Sequence, residues 1–193
     1  HRRAPAGGGQ PLPVLYVYDS YRTSSDQWRK LLTPGGSTTI RGTGEDAIVL
    51  GLLLQSPDIG RLASEGFDGA FTYFASTGFT AGSTPRNWRR FRRQLEEHDM
   101  IFVPSVGPGY DDRRIRPWNA ANTRSRNNGR YYDDMFESAI ACQPPIVAIT
   151  SFNEWHEGTQ IEPASSAPPA VTRSLPYDSY APCASDYYLD RTR

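Results

Sequence analysis

Short apolar segments alternate regularly with segments whose apolar residues recur at helical spacing, and this alternation limits the possible folds more than any other feature. The apolar segments occupy residues 14–19, 47–54, 69–75, 100–106 and 145–152. The helix-like segments between them occupy residues 24–32, 58–65, 84–98 and 131–142. The run AIVLGLLL at 47–54 is apolar at nearly every position, which is typical of a parallel strand covered on both faces. The pattern therefore predicts consecutive parallel βα units.

Five such strands predict part of a closed barrel. A complete eight-stranded α/β barrel typically takes about 250 residues, whereas this chain has 193. We therefore expect an α/β fold of the (β/α)8 TIM-barrel type, of which the chain supplies about five βα units. A doubly wound open sheet is the alternative. It normally carries a glycine-rich phosphate loop after its first strand, and the sequence VLYVYDSYRTSSD at 14–26 is not such a loop.

The two ends of the chain differ from this pattern. Residues 1–13 are rich in glycine, proline and arginine, so we expect a linker or loop there and one partial barrel domain over 14–193. The sequence after Gly158 is rich in proline, serine and alanine, and the segment 184–193 is a candidate for one more helix.

The charge balance excludes several classes of function. Lysine plus arginine number 21 and aspartate plus glutamate number 21, so no net charge attracts nucleic acid or an anionic membrane, and no nucleic-acid partner is expected. The arginines of the helix at 84–98 are expected to form its solvated face. No stretch has the roughly 18–20 consecutive apolar residues of a membrane span, and no targeting segment is recognisable. Cys142 and Cys183 show no metal-ligand spacing, and no metal or cofactor is expected.

The chemistry should lie where parallel barrel strands end, because barrel active sites form at that face. The residues at these positions are mainly aromatic residues, one arginine, amides and carboxylates. They are Tyr18, Asp19 and Tyr21 after the first strand, Tyr73 after the third, Tyr110, Asp111, Arg116, Trp118 and Asn119 after the fourth, and Asn153, Glu154, Trp155 and Glu157 after the fifth. This set suits a carbohydrate, because aromatic rings pack on the apolar faces of sugars while amides, carboxylates and guanidinium groups bind hydroxyls.

The run NEWHE at 153–157 follows the fifth predicted strand and holds two carboxylates three residues apart. On a helical turn this spacing places Cβ atoms about 5–6 Å apart, and a fully extended chain allows about 10 Å. Both separations fit a glycosidase carboxylate pair, so spacing alone leaves retention or inversion open. Solvated loop glutamates paired with nearby arginines are the alternative interpretation. Trp118 and Trp155 are interpreted as packing residues and are left out of the predicted site.

Several blocks closely resemble glycoside hydrolase family 99, the endo-α-1,2-mannosidases. They are FVPSVGPGY (102–110), IRPWNAANTRSRNNGRYY (115–132) and ITSFNEWHEGTQIE (149–162), with YVYDSY (16–21) and GFDGAFTYFASTGFTAGS (66–83) in the same order. The resemblance covers roughly residues 12–162. It implies a (β/α)8 barrel and retaining cleavage of internal α-1,2-mannosidic bonds, in glucosylated high-mannose N-glycans of the animal Golgi or in mannans.

The resemblance also implies roles for individual residues. Glu154 would deprotonate the substrate 2-hydroxyl, whose oxygen attacks the anomeric carbon and gives a 1,2-anhydro sugar. Glu157 would protonate the leaving oxygen and then activate water. Asn153, Arg116 and Tyr73 would bind substrate, and so, less closely matched, would Tyr18 and Asp19. Two alternatives stay open: Tyr73 as a core residue with a satisfied hydroxyl, and Arg116 as a structural partner of Asp111 or Asp112.

The chain also departs from the family pattern. The family's upstream blocks and the membrane anchor of animal members are absent from this sequence, residues 38–57 match loosely, and the sequence after Pro163 diverges. We therefore expect a fragment corresponding to the carboxyl-terminal half of the catalytic domain, with the amino-terminal half as its missing partner. For such a chain the alternative to an active hydrolase is an inactive, glycan-binding relic of the same family. The oligomeric state is not predicted.

Overall fold

The computed structural model describes residues 11–164, 177 and 179–193. Most of the predicted linker 1–13 and residues 165–176 of the tail lie outside the described residues. The strands are β1 (Val14–Val17), β2 (Ile48–Leu52), β3 (Gly69–Phe71), β4 (Ile101–Val103), β5 (Ser105–Val106) and β6 (Ala148–Ile149). The α-helices are α1 (Ser25–Leu32), α2 (Asp58–Glu65), α3 (Trp88–Glu96), α4 (Arg130–Ile140) and α5 (Tyr187–Thr192).

The strands pair in parallel and in chain order. β1 pairs with β2, β2 with β3 and β3 with β4, while β5 pairs with β6. A doubly wound sheet would reverse its strand order at a switch point, and the described strands show no reversal. The expected partial α/β barrel is therefore confirmed, and the doubly wound alternative is wrong.

The predicted strand at 100–106 is divided at Pro104 into β4 and β5. Proline has no N–H for a ladder hydrogen bond, but the Pro104 carbonyl still accepts one from the amide of Ala148 at 3.0 Å. The chain thus pairs with β3 before the proline and with β6 after it. The hydroxyl of Thr72 accepts from the Ser105 amide at 2.9 Å and joins the two sheets. The chain therefore has five successive strand positions, as predicted. The fourth position is divided between β4, which pairs with β3, and β5, which pairs with β6.

Alternate residues of β2 face two different hydrophobic clusters. Val49 packs with the helices in the larger cluster, together with buried residues of all four helices α1–α4. Leu50 and Leu52 lie in the smaller cluster with Phe71 and Val103. Because successive strand side chains point to opposite faces, the helices cover one face of the sheet and the smaller cluster lines the other. In a barrel that second face is the interior.

The predicted element ends differ from the observed ones by a few residues. The helix expected at 84–98 begins as a 3-10 turn, Pro85–Asn87, before α3, and the strand expected at 145–152 is reduced to β6. The candidate helix at 184–193 is confirmed as α5. Among the described residues, no helix has both the length and the apolar character needed to cross a bilayer.

A buried arginine ties the first two βα units together. The Arg41 side chain is only 2% exposed and donates to three backbone carbonyls at 2.7 Å, those of Leu32, Ala47 and Gly66. It also pairs with the carboxylates of Asp46 and Asp68, at 3.2 and 2.9 Å. These partners lie at the ends of α1 and α2 and just before β2 and β3. One guanidinium therefore sets how two helices meet two strands.

We predict that Arg41→Met destabilises the full-length protein by about 3–5 kcal/mol, because it leaves buried carboxylates and carbonyls without their cationic donor. Chemical denaturation measures the change. The matched control is Arg29→Met, which removes a surface pair with Asp26 and should cost at most about 1 kcal/mol. Equal losses in both variants would contradict the role given to Arg41.

Candidate active site

The predicted site residues follow the carboxyl ends of their strands. Tyr18 comes directly after β1 and Tyr73 two residues after β3, while Arg116 lies in the long loop after β5. Asn153, Glu154 and Glu157 lie in the loop after β6. Because parallel strands end at the same edge of a sheet, these side chains share one face of the partial barrel.

The two glutamates flank a short 3-10 turn, Trp155–Glu157. Glu154 precedes the turn, and its carboxylate accepts a hydrogen bond from the His156 amide at 3.2 Å. The Glu154 amide in turn donates to the hydroxyl of Ser151 at 2.9 Å, and the Glu154 carbonyl accepts from the Thr159 amide at 3.2 Å. Hydrogen bonds between residues close in sequence therefore hold this turn in place.

Gly158 allows this turn to lie against the loop that follows β5. Its φ of 64° lies in the left-handed region, and a Cβ at this position would be 3.0 Å from the Asp111 amide nitrogen. That amide donates to the Glu157 carbonyl at 2.8 Å. Glycine meets both requirements because it has no Cβ and tolerates positive φ. The backbone of Glu157 is thereby fastened to the loop that carries Arg116.

Arg116 connects two carboxylates through a single nitrogen. Its Nη1 lies 3.2 Å from Oε1 of Glu157 and 3.1 Å from Oδ2 of Asp112. The sequence left open whether Arg116 binds substrate or pairs structurally with Asp111 or Asp112. The structure shows the pair with Asp112, whereas Asp111 pairs with Arg113. It also shows that Arg116 contacts Glu157 while 43% of its side chain stays exposed.

Asp112, which the sequence offered only as one of two possible structural partners for Arg116, supports the site. Its side chain is fully buried and accepts from the Tyr110 hydroxyl at 2.9 Å and from the Asn119 amide at 2.9 Å, besides Arg116. Its carbonyl also accepts from the Arg116 amide at 2.7 Å. The available signal was spacing, since Arg116 and Asn119 follow Asp112 by four and seven residues. In a sequence, however, an aspartate near several arginines looks the same whether it is buried or belongs to an ordinary surface ion pair.

Burial raises the pKa of Glu157 above its ordinary value, and this is the largest influence on the group. The guanidinium of Arg116 opposes the shift, while the negative charges of Glu154 and Asp112 add to it. A carboxyl group in this environment stays protonated to higher pH than a solvated one. The shift is in the direction that favours a general acid, which must carry a proton before it can donate one.

Tyr73 and Tyr18 form an aromatic wall beside the glutamates. Their rings meet edge to face, with centroids 4.8 Å apart, and line a cleft of about 300 Å³. Burial and then the charges of Glu157 and Glu154 raise the pKa of the Tyr73 hydroxyl, so both glutamates lie within electrostatic range of it. Within the described part of the chain that hydroxyl makes no hydrogen bond. It is therefore available to a ligand, and the alternative of a core tyrosine with a satisfied hydroxyl does not apply there.

The remaining predicted residues, Asn153 and Asp19, differ in how free their side chains are to bind a ligand. Asn153 is exposed beside Glu154. Asp19 is already engaged, because its carboxylate accepts from the Tyr21 hydroxyl at 2.7 Å and pairs with Arg22 at 2.8 Å. Asp19 would thus share its carboxylate between these partners and a ligand.

The two tryptophans near the site behave differently. Trp155 packs against the main hydrophobic cluster, as predicted. Trp118 is 79% exposed, so its interpretation as a packing residue is wrong for the described structure. It stands on the 3-10 segment Pro117–Asn122, two residues after Arg116. Sequence alone gave no signal to separate the two, since both lie in polar loops.

A larger groove lies away from these residues. It has a volume of about 530 Å³ between α4 and the turn at Pro85–Asn87, with Thr77, Arg124 and Met135 in its wall. None of the predicted site residues lines it. Size alone would therefore point away from the predicted residues, of which Tyr18 and Tyr73 line the smaller cleft.

Comparisons with known proteins all point to one family. The family model described as glycosyl hydrolase family 99 matches residues 4–193. The glycoprotein endo-alpha-1,2-mannosidase of Rattus norvegicus is 48% identical over 96% of this chain and 39% of its own length. The glycoprotein endo-alpha-1,2-mannosidase-like protein of Homo sapiens is 47% identical over 96% of this chain and 40% of its own length. The chain thus spans about two fifths of these curated relatives.

A solved structure agrees with the sequence comparisons. The GH99 endo-alpha-mannosidase from Bacteroides thetaiotaomicron superposes with a TM-score of 0.88 and 47% identity. The match covers 94% of this chain and 52% of that one.

We predict that Arg116→Met raises the pKa of Glu157 further, because the guanidinium favours the charged carboxylate and its removal leaves burial unopposed. NMR titration of ¹³C-labelled glutamate carboxyl groups measures the change. The difference between variant and wild type should shrink at high salt, since Arg116 is partly exposed. Arg113→Met is the matched control, and it should raise the pKa of Asp111 and leave that of Glu157 unchanged. An unchanged or lowered Glu157 pKa in Arg116→Met would refute the bridge.

Proposed function

Because this chain belongs to glycosyl hydrolase family 99, we propose that it carries the acid–base residues of a retaining endo-α-1,2-mannosidase. The proposed substrates are glucosylated high-mannose N-glycans or mannans, cleaved at internal α-1,2-mannosidic bonds. The observation that carries the proposal is the placement of Glu154 and Glu157 on one fixed turn, with the pKa of Glu157 raised by burial.

The first step forms a ring from the substrate's own oxygen. The carboxylate of Glu154 takes the proton of the 2-hydroxyl, and the freed oxygen attacks the anomeric carbon. In an α-mannoside the 2-oxygen and the leaving oxygen stand on opposite faces of the sugar, so the attack is directly behind the breaking bond. The bond between the anomeric carbon and the leaving oxygen breaks, and Glu157 donates its proton to that oxygen. The product is a 1,2-anhydro sugar and a shortened glycan.

The second step opens that ring with water. Glu157, now a carboxylate, takes a proton from a water molecule whose oxygen attacks the anomeric carbon. The carbon–oxygen bond of the three-membered ring breaks, and the 2-oxygen recovers the proton held by Glu154. Two inversions at one carbon give net retention. A retaining enzyme of this kind forms no ester with the protein, so the carboxylate separation typical of other retaining enzymes is not required.

The neighbouring residues would bind and orient the sugar. Tyr73 and Tyr18 line the cleft, and the Tyr73 hydroxyl is available for a substrate oxygen. Asn153 is exposed next to Glu154, and Arg116 keeps exposed surface while it holds Glu157. We assign all four to substrate binding. Asp19 is assigned only a secondary contact because Tyr21 and Arg22 already occupy its carboxylate.

The compartment and the partners form part of the same proposal. For a eukaryotic source, the resemblance to animal family members makes the Golgi the proposed compartment. The proposed partner is a mannose-containing oligosaccharide. The remaining strands of a closed barrel are proposed to cover β1, whose Leu15 and Tyr16 are 50% and 44% exposed.

We predict that Glu154→Gln and Glu157→Gln each lower turnover of the natural linkage by at least about 10²-fold, the usual scale for an acid–base group. An aryl glycoside of the glucose–mannose disaccharide separates the two roles. Its leaving group departs without protonation, so Glu157→Gln should recover much of the first-step rate, whereas Glu154→Gln should not. Release of the phenol is followed in the full-length protein.

The matched control is Glu137→Gln, an exposed glutamate on α4 that should not affect turnover. Near-normal turnover in either active-site variant would remove the assigned roles. Glycan binding by wild-type protein without any turnover would favour the inactive relic.

A second prediction concerns the intermediate. A substrate with fluorine in place of the 2-hydroxyl should resist cleavage and leave the protein mass unchanged, because no 2-oxygen is present to attack. With the natural linkage, NMR should detect the α-anomer of the released sugar first. A covalent adduct on Glu154, or the β-anomer first, would contradict the anhydro-sugar route.

A further inference from the structure

Behind the catalytic turn lies a second set of contacts, to the segment that follows it. We propose that Arg126 is a positioning residue that acts together with Tyr180: the two side chains hold segment 158–162 by its backbone carbonyls and so fix where Glu154 and Glu157 stand. The inference deepens the proposed function and rests on it for its kinetic consequence.

The segment 158–162 has two differently bonded edges. On one edge its backbone pairs with the chain before the turn: the Ser151 amide donates to the Thr159 carbonyl at 2.9 Å, and the Ile161 amide donates to the Phe152 carbonyl at 2.9 Å. These bonds close a loop with the two glutamates at its tip. The carbonyls of Gly158, Gln160 and Glu162 alternate with these groups and form the other edge.

Side chains bond this second edge. Nη2 of Arg126 donates to the carbonyls of Gly158 and Gln160, both at 2.9 Å. The hydroxyl of Tyr180 lies within hydrogen-bond distance of the carbonyls of Gln160 and Glu162, at 3.0 and 2.9 Å. Three successive carbonyls of one edge are thus bonded by two side chains from elsewhere in the chain. Buried carbonyls need such partners, and here they replace a neighbouring strand.

The position of Arg126 is itself closely determined. The residue is 5% exposed, and its guanidinium carbon lies 4.9 Å from the Tyr180 ring centroid and 4.7 Å from that of Tyr188. A Cβ on Gly109 would lie 2.8 Å from Cγ of Arg126, so the loop after β5 contacts the stem of the arginine. The guanidinium therefore has little freedom to move away from the carbonyls.

The charge of Arg126 is not used in an ion pair. In the described residues no carboxylate lies within salt-bridge distance of it, and its Nε and Nη1 are buried without a hydrogen-bond partner. Burying a charge without a counter-ion is costly, and aromatic faces offset only part of the cost. We interpret this uncompensated burial as a sign that Arg126 serves to hold the carbonyls in position. A neutral side chain would avoid it but would offer no donor to two carbonyls while stacking on two rings.

Loss of the contacts from Arg126 or Tyr180 affects the reaction by letting the two glutamates move. If the second edge is released, the loop keeps only its internal bonds, and its tip can shift relative to Arg116. Proton transfer depends steeply on placement, and a displacement of about 1 Å can cost about 10²-fold in rate. We therefore expect a loss in kcat with a smaller change in KM, because the groups that contact substrate remain present.

The test compares three variants of the full-length protein. Tyr180→Phe keeps the aromatic ring and removes only the hydroxyl, Arg126→Lys keeps a donor without the planar stack, and Arg126→Met removes the donor. With KM within about threefold, we expect kcat to fall about 10²-fold in Arg126→Met, on the scale of displaced catalytic groups. It should fall less in the other two. Amide hydrogen exchange over residues 151–162, measured well below the melting temperature, should be faster in all three.

The matched control is Arg130→Met, which removes an exposed pair with Asp134 and should change neither readout. A role in stability alone would lower the melting temperature but leave kcat per folded molecule and the exchange at 151–162 unchanged, and that result would overturn the proposal. If the wild-type protein cleaves no mannoside, the proposed function fails, while wild-type exchange rates in Tyr180→Phe and Arg126→Lys would separately overturn the positioning role.

Discussion

The relay from Asp112 through Arg116 to Glu157 is the interaction on which the candidate site depends. A fully buried carboxylate costs several kcal/mol unless charged or polar donors surround it, and Asp112 is satisfied by donors from Tyr110, Arg116 and Asn119. These donors all come from the long loop after β5, so their hydrogen bonds to Asp112 hold that loop together. Arg116 is therefore held at a fixed place, and its free surface and its contact with Glu157 follow from that place.

The groups around the cleft fall into two kinds. Several that build the frame have their hydrogen bonds satisfied within the protein, as Ser151, Asp112 and the carbonyls of Gly158, Gln160 and Glu162 show. Those assigned to substrate binding keep unused capacity, as the Tyr73 hydroxyl and the exposed Asn153 do. This division is expected for a site that binds hydroxyl-rich molecules, because a ligand can only be recognised by groups the protein has not already satisfied.

Local patterns predicted the fold well because each strand and helix carries its own periodicity. The apolar run in β2 and the stripes of α2 and α3 needed no long-range information. The break at Pro104 was not predicted, since it depends on which neighbour pairs on either side of one proline. The boundary of β6 was overextended because apolar residues continue into the loop.

The site was only partly predictable for a similar reason. Glu154 and Glu157 are visible from their place after a strand, and family resemblance adds their roles. Arg126 acts through contacts with residues more than thirty positions away, such as Gly158, and Asp112 is linked to Glu157 only through Arg116. Nothing in their immediate sequence separates them from ordinary charged loop residues, and the contrast between partly buried Trp155 and exposed Trp118 is likewise set by tertiary structure.

Gly158 has a consequence for how a gene of this kind decays. The residue combines a positive φ with backbone contact against Asp111, so a missense change of its codon introduces a side chain that strains the turn. In a copy of the gene that has lost Gly158, Glu154 and Glu157 could persist unaltered although the turn that holds them is already displaced. Among duplicated or transferred sequences, an intact acid–base pair is therefore by itself no proof of a working hydrolase, and the glycine that follows it has to be checked as well.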